Sequence, residues 1–499
     1  MPFPLSLVCR FALLPLLLSV AAIAGESVSR PGVLHLTVET AVRMALAKNF
    51  EIAAQRFEPH IARQGVRSEL GRFDPRLTVN ARRNEDAARS SFDTREGRTS
   101  VSNVTRRDTF GAGLEGETPW GLEYDFDLGT GNATGSRDRF DDLYSSDARL
   151  GLRQPLLQGF GADANLADLR IARTNLQVSE WELRRRIIDV ITRTVFVYNE
   201  LHSAQESLRV AEASRERSRQ LLQDNMKRAE VGVMSPLNIT SARAEVASRQ
   251  EGVILAIRRV KDNENLLKQL VTNDLEAMLS VQVEIKPPPS PGFRADVQSG
   301  ITDALALRPD YRQAVLAIER QNIVLAQRKD QALPRLDLVG SLRLLGIDDD
   351  LAASFQRIPS RDRSDWAAGV EFSVPIPNRA GRAGVVSAQL AAAQALVELH
   401  RLEQQIIVEV DNASGQIVTA RERITSTTEA RLLAKESLEA GDERLRAGTG
   451  TTFEVLELQE KLAEAEAAEI RARSDYNNAI SDYNEQTGTT LRAYRLKVD

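Results

Sequence analysis

Between Gly161 and Gly232 the chain contains neither glycine nor proline. Such a run, roughly 70 residues at 1.5 Å each, predicts one helix about 105 Å long, and the rest of the chain has to be arranged along it. It is no membrane span, which takes ~20 apolar residues, because Arg184, Arg185 and Arg186 sit near its middle. Leu183, Ile187, Val190, Val197, Leu201, Ala204, Leu208 and Ala211 keep a 3-4 spacing. Ile188, Ile191, Val195 and Tyr198 form a second stripe beside the first. One stripe reads as a two-stranded coiled coil; two adjacent stripes read as a helix packed on both flanks, as in the wall of a tube. From this stretch alone both readings stay open.

The order of segments occurs twice. Ala45-Leu46-Ala47 and Pro75-Arg76-Leu77 return as Ala304-Leu305-Ala306 and Pro334-Arg335-Leu336, both displaced by the same interval. The first repeat, 25–271, reads as a helix over 36–71, strands within 76–155, the long helix 162–231 and a return helix 236–271. A segment 272–296 holds the extended Pro287-Pro288-Pro289-Ser290-Pro291 and links the halves. The second repeat, 297–486, reads as a helix over 297–332, strands within 335–375, a long helix 385–447 and a return helix 451–486. Residues 487–499 form a tail. Thr37 is the expected N-cap of the first helix and Pro59 its expected kink. Gly232 can end the first long helix in the left-handed region, with Ser235 and Pro236 starting the return. The turn Ala447-Gly448-Thr449 answers Val231-Gly232-Val233. The two shorter helices of each repeat together match one long helix, so they can stack end to end beside it.

Period two marks the strands. Leu77, Val79 and Ala81 alternate with polar residues, and 84–107 reads as a polar loop. Phe110, Ala112 and Leu114 alternate again, and Thr118-Pro119-Trp120-Gly121 supplies a turn. Leu122, Tyr124, Phe126 and Leu128 then alternate with Glu123, Asp125 and Asp127. Ala148, Leu150 and Leu152 make a further strand, as do Leu336 to Leu344 and Trp366 to Val374 in the second repeat. An apolar face opposite an acidic one suits a barrel between lipid and water, and equally a soluble sheet with one wet face. The stretch from Pro75 to Pro155 is almost twice as long as its counterpart from Pro334 to Pro375. Residues 110–128 read as an added hairpin within the excess, which either extends the barrel wall or stands beyond it on the outer face. The strand alternation favours pairing with the sheet, and the lack of a counterpart in the second repeat favours an accessory. Two paired strands per repeat give four per chain, too few to close a barrel, so several chains would have to share one.

Arg10 is followed by an apolar run ending in Ala22-Ile23-Ala24, a small-x-small cleavage pattern, so residues 1–24 are read as a secretory signal. The single cysteine, Cys9, precedes that run and leaves with it, which excludes disulfide and thiol chemistry afterwards. No later segment reads as a transmembrane helix, so a membrane role must come from strands. A net charge of only −5 gives nucleic-acid binding no support. His35, His60, His202 and His400 are scattered without metal-ligand spacing, and no nucleophile, base or cofactor loop is evident. Neither enzyme activity nor a cofactor is expected.

The duplicated order, Pro155-Leu156-Leu157-Gln158-Gly159-Phe160-Gly161 and the paired turns at Gly232 and Gly448 resemble the TolC-like outer-membrane efflux protein family over essentially the whole mature chain. The resemblance implies an α+β membrane protein: a transmembrane β-barrel of twelve strands, shared by a homotrimer in outer-membrane lipid, continuing into a long periplasmic α-helical barrel. It implies a passive duct of a tripartite efflux pump or type I secretion system, docked by a periplasmic adaptor that is itself bound to an inner-membrane pump or exporter. The docking turns would be Val231, Gly232, Val233, Ala447, Gly448 and Thr449. Glu454 and Glu457 match the positions where such channels place paired acidic residues around the periplasmic entrance; plain helix capping is the competing reading. The closing lock of the best-known member is not matched, since its arginine falls at Gly450, its tyrosine at Leu445 and its partner acid at Asn238. A periplasmic adaptor, which also carries a helix hairpin, is the alternative; two long hairpins and amphipathic strands in both repeats argue against it.

Overall fold

A computed structural model describes residues 33–90, 101–135, 143–232, 234–288, 292–360 and 363–496; the expected signal segment, Val233 and part of the proline-rich link lie outside them. The first repeat opens with a short strand, β1 (Val33–Leu36), then three helices, α1 (Val38–Lys48), α2 (Phe50–Gln55) and α3 (Phe57–Leu70). Thr37 caps α1 in a reciprocal box with Thr40. The single kinked helix expected over 36–71 is therefore three pieces, broken at Asn49 and Arg56 rather than at Pro59. Pro59 falls in the first turn of α3, where a missing N–H leaves no bond unmade.

Four strands follow: β2 (Arg76–Ser90), β3 (Val101–Glu117), β4 (Glu123–Gly135) and β5 (Leu143–Pro155). Of the polar loop expected over 84–107, residues 84–90 and 101–107 are strand, in a ladder paired from Arg76–Glu115 to Ser90–Val101, and the rest lie outside the described residues. After a helical turn, α4 (Ala162–Asn165), comes α5 (Ala167–Glu230), about 96 Å long. It turns back into α6 (Pro236–Val271), capped by the Ser235 hydroxyl with Pro236 in the first turn. The link between repeats contains α7 (Leu275–Leu279) and β6 (Gln282–Ile285), which pairs in parallel with β1. Neither short strand carries enough period to be read from sequence.

The second repeat runs α8 (Val297–Leu307), α9 (Pro309–Gln331), β7 (Arg335–Asp348), α10 (Leu351–Arg357), β8 (Ser364–Ser373), α11 (Arg379–Arg446), α12 (Thr452–Gln486) and a final turn, α13 (Thr490–Ala493). Its first helix breaks at Arg308, the position that the repeat interval assigns to Asn49, and both break residues are extended, with ψ of 128°. α11 starts ahead of the expected 385 because left-handed Asn378 caps it through the Gly381 N–H.

Both flanks of α5 are packed: α1, α3 and α6 lie along it on the first-repeat side, α9 and α12 on the other. This accounts for the two stripes and removes the coiled-coil reading. End-to-end stacking is visible at the breaks. The Asn49 amide donates to the Leu270 carbonyl at the end of α6, and the Arg308 guanidinium to the Gln486 carbonyl at the end of α12. One core gathers around Ile187, Ile191, Tyr198 and Leu201 of α5 with Leu36, Val42 and Leu267; a second gathers around Ile406, Val410 and Ile417 of α11 with Tyr476 and Tyr483. The Tyr198 hydroxyl lies within hydrogen-bonding distance of the Leu36 and Lys286 carbonyls and so clasps the β1–β6 ribbon to α5.

Candidate functional sites on the sheet and at the hairpin tips

The six long strands form one antiparallel sheet in the order β2-β3-β4-β5-β7-β8. The count is six, not the four expected from two paired strands per repeat, because β3 and β4 insert between β2 and β5 as full members. The tight turn of that hairpin is fixed at the helical end. The Leu122 N–H and the Gly121 N–H bond to Thr118, and the Gly161 N–H donates to the Trp120 carbonyl.

Register places one kind of side chain on each face. A single row crosses all six strands as Leu77, Leu114, Phe126, Leu150, Leu342 and Trp366. The next row on that face runs Val79, Ala112, Leu128, Ala148 and Leu344. The opposite face carries Arg76, Glu115, Asp125, Arg153 and Glu371, which line one concave pocket, with Asp337 beside them. Here Arg153 reaches Asp337 at 2.9 Å and Glu371 at 2.8 Å, and Arg335 reaches Asp337 at 2.7 Å. Glycine recurs on this polar face: a Cβ on Gly111 would meet the Asn80 Oδ1 at 2.6 Å. Small residues inside the curve let a sheet curl, and the apolar face is the convex one.

At the opposite end of the rod the two long hairpins end side by side. Gly232 and Gly448 both have φ of 77°, the left-handed closure that glycine adopts without strain. The Arg228 guanidinium donates to the Leu445 carbonyl at 2.9 Å, and Leu221 of α5 packs with Leu438, Leu445, Val455 and Leu462. The structure therefore brings together the two expected turns, apart from Val233. Val231, Leu237 and Phe453 stand exposed at this end.

Glu454 and Glu457 lie in the first turns of α12, and Thr451 caps that helix through the Glu454 N–H. Each acid has a cationic partner. Arg444 reaches Glu454 at 2.6 Å across the turn, and Lys461 reaches Glu457 at 2.7 Å one helical turn on. Only the second pair carries a sequence signal, an acid followed by a lysine at helical i,i+4 spacing. The Asn238 amide contacts the Met234 sulfur, which also lies 3.9 Å from the Thr452 hydroxyl of the second hairpin. Among the described residues no group of His, Cys, Asp and Glu could hold a metal ion, and no helix is long and apolar enough to cross a membrane.

Residues 118–273 and 300–482 match the protein family described as outer membrane efflux protein. The outer membrane protein TolC of Escherichia coli strain K12 is 23% identical over 366 residues, covering 66% of this chain and 71% of that protein. Among solved structures, the Campylobacter jejuni CmeC outer membrane channel superposes with a TM-score of 0.69 at 18% identity, covering 91% of this chain and 86% of that one. The outer membrane protein VceC of Vibrio cholerae does so with a TM-score of 0.65 at 15% identity, covering 90% and 96%.

Proposed function

Because the chain belongs to the outer membrane efflux protein family, we propose that it is the passive outer-membrane duct of a tripartite efflux pump or a type I secretion system. The observation that carries the reading is the division along one chain. A sheet, apolar outside and polar inside, occupies one end, and helices about 100 Å long lead from it to paired turns at the other. The sheet sits in the outer membrane and the helices span the periplasm. A periplasmic adaptor has no use for a sheet with an apolar convex face, so the duct is favoured over it.

Closure requires further copies. A sheet with two open edges leaves backbone groups unsatisfied in lipid, at several kcal/mol each, and a homotrimer in the TolC-like manner removes the edges. At the tips, the turns at Val231, Gly232 and Ala447 to Thr449 receive a periplasmic adaptor bound to an inner-membrane pump or exporter, with exposed Val231, Leu237 and Phe453 as apolar contacts. Glu454 and Glu457 narrow the entrance. Native mass measurement of protein extracted from outer membranes in mild detergent gives a trimer on this reading. The same material forms channels in planar bilayers. A stable monomer without channel activity overturns it.

A further inference from the structure

Both edges of the sheet are unpaired, and their side chains record the missing neighbours. In the row that crosses all six strands, Leu77 on β2 is 71% exposed and Trp366 on β8 is 77%, while the four residues between them lie at 39–41%. The edge strands carry the same two-faced pattern as the inner ones, apolar outside and polar inside, so nothing marks β2 or β3 as an outlying flap.

The apolar band also drifts across the sheet in a way that states how it closes. The ladder through Val79, the middle apolar residue of β2, reaches Leu344 on β7. The ladder through Val370, central among the apolar positions of β8, reaches Leu338. The band therefore shifts six residues along the strands while crossing six strands. At about 3.3 Å per residue and about 4.8 Å between strands, that is a tilt of about 35°, within the range of outer-membrane barrels. A shift of six is even, so joining β8 to the β2 of a second copy keeps every side chain on its face. It sets Val370 opposite Val79 and Phe372 opposite Leu77.

We infer that all six strands enter the membrane wall and that three chains close it with eighteen strands, through β8 of one copy pairing antiparallel with β2 of the next. The occupant of each open edge is a second copy of this chain. The wall is about 34 Å across between backbones, against about 23 Å for twelve strands at the same tilt. This inference rests on the duct reading but goes beyond it, since a trimer with the β2–β3 hairpin outside the wall would serve as a duct too.

Cysteine cross-linking separates the two arrangements, and the only native cysteine is Cys9. In a Cys9→Ser background, Leu77→Cys with Phe372→Cys and Val79→Cys with Val370→Cys should each give oxidant-dependent dimers and trimers on denaturing gels. Tyr124→Cys with Phe372→Cys should not, because β4 is interior. Cross-linking of the Tyr124 pair in place of the other two, or none in material whose native mass is trimeric, overturns the eighteen-strand wall and leaves the duct. Monomeric mass ends both. Electron-microscope images of the unaltered protein give an independent measure: the wider of the two diameters supports the inference and the narrower rejects it.

Discussion

Asn49 and Arg308 occupy the same place in the two repeats and hold the same kind of carbonyl with different chemistry. The Arg308 guanidinium is nearly buried, bonds Asp310 and Glu409 at 2.7 Å each and reaches the Gln486 carbonyl at 3.2 Å. Burial pushes the Asp310 carboxyl up, but the hydrogen bonds and charge of Arg308 pull it further down, below the ordinary carboxylate range. A lowered folded-state value gives stability that is present above that range and lost as the pH falls through it. Arg308→Ala should lower stability by about 1–3 kcal/mol at pH 7, measured as thermal loss of helical ellipticity, with the deficit shrinking below about pH 4. An equal deficit at both pH values would point to lost packing alone. Glu485 behaves oppositely. Burial raises its carboxyl to about 7; the charges of Asp189 and Asp482 add to this, and that of Arg308 opposes it. A raised carboxyl costs nothing while protonated in both states, and the penalty grows as the pH rises toward the folded value. Glu485→Gln should therefore stabilise by about 1–3 kcal/mol at pH 8 and have little effect at pH 4.

At the scale of elements, the long helices, their glycine turns and the duplicated order are legible in the sequence, because each rests on an interruption or a period that no tertiary contact has to supply. The breaks are not. Asn49 ends α1 through its own capping amide and a bond to Leu270 that lies 221 positions away in sequence. Residues 84–90 and 101–107 read as loop although they are strand, because both faces turn polar there. Arg83 pairs with Asp108 at 2.6 Å and Arg106 with Glu85 at 3.0 Å, so the alternation of charge and apolar side chain disappears while the ladder continues. At the tip, Glu454 and Glu457 can be found from sequence but Arg444 cannot, since it meets Glu454 only once the turn is closed. That partner changes what the acids do, because removing them uncovers Arg444 and Lys461. Planar-bilayer recordings of Glu454→Ala with Glu457→Ala should show raised conductance and loss of block by multivalent cations. Unchanged traces from a normally assembled trimer would leave the acids as helix caps.

The whole molecule is a rod with a sheet at one end and two turns at the other, and its two repeats differ in only one large respect, the hairpin of β3 and β4. That hairpin starts at the far end of β2, descends to its tight turn beside Gly161 at the helical end and returns, so β2 still departs from α3 and β5 still enters α5. Strands inserted as a down-and-up pair leave the direction of every other strand intact and touch no helix register. With all six strands in the wall, its calibre is thus free to be reset in steps of two strands per chain, while the long helices and their paired tips keep a gauge of their own.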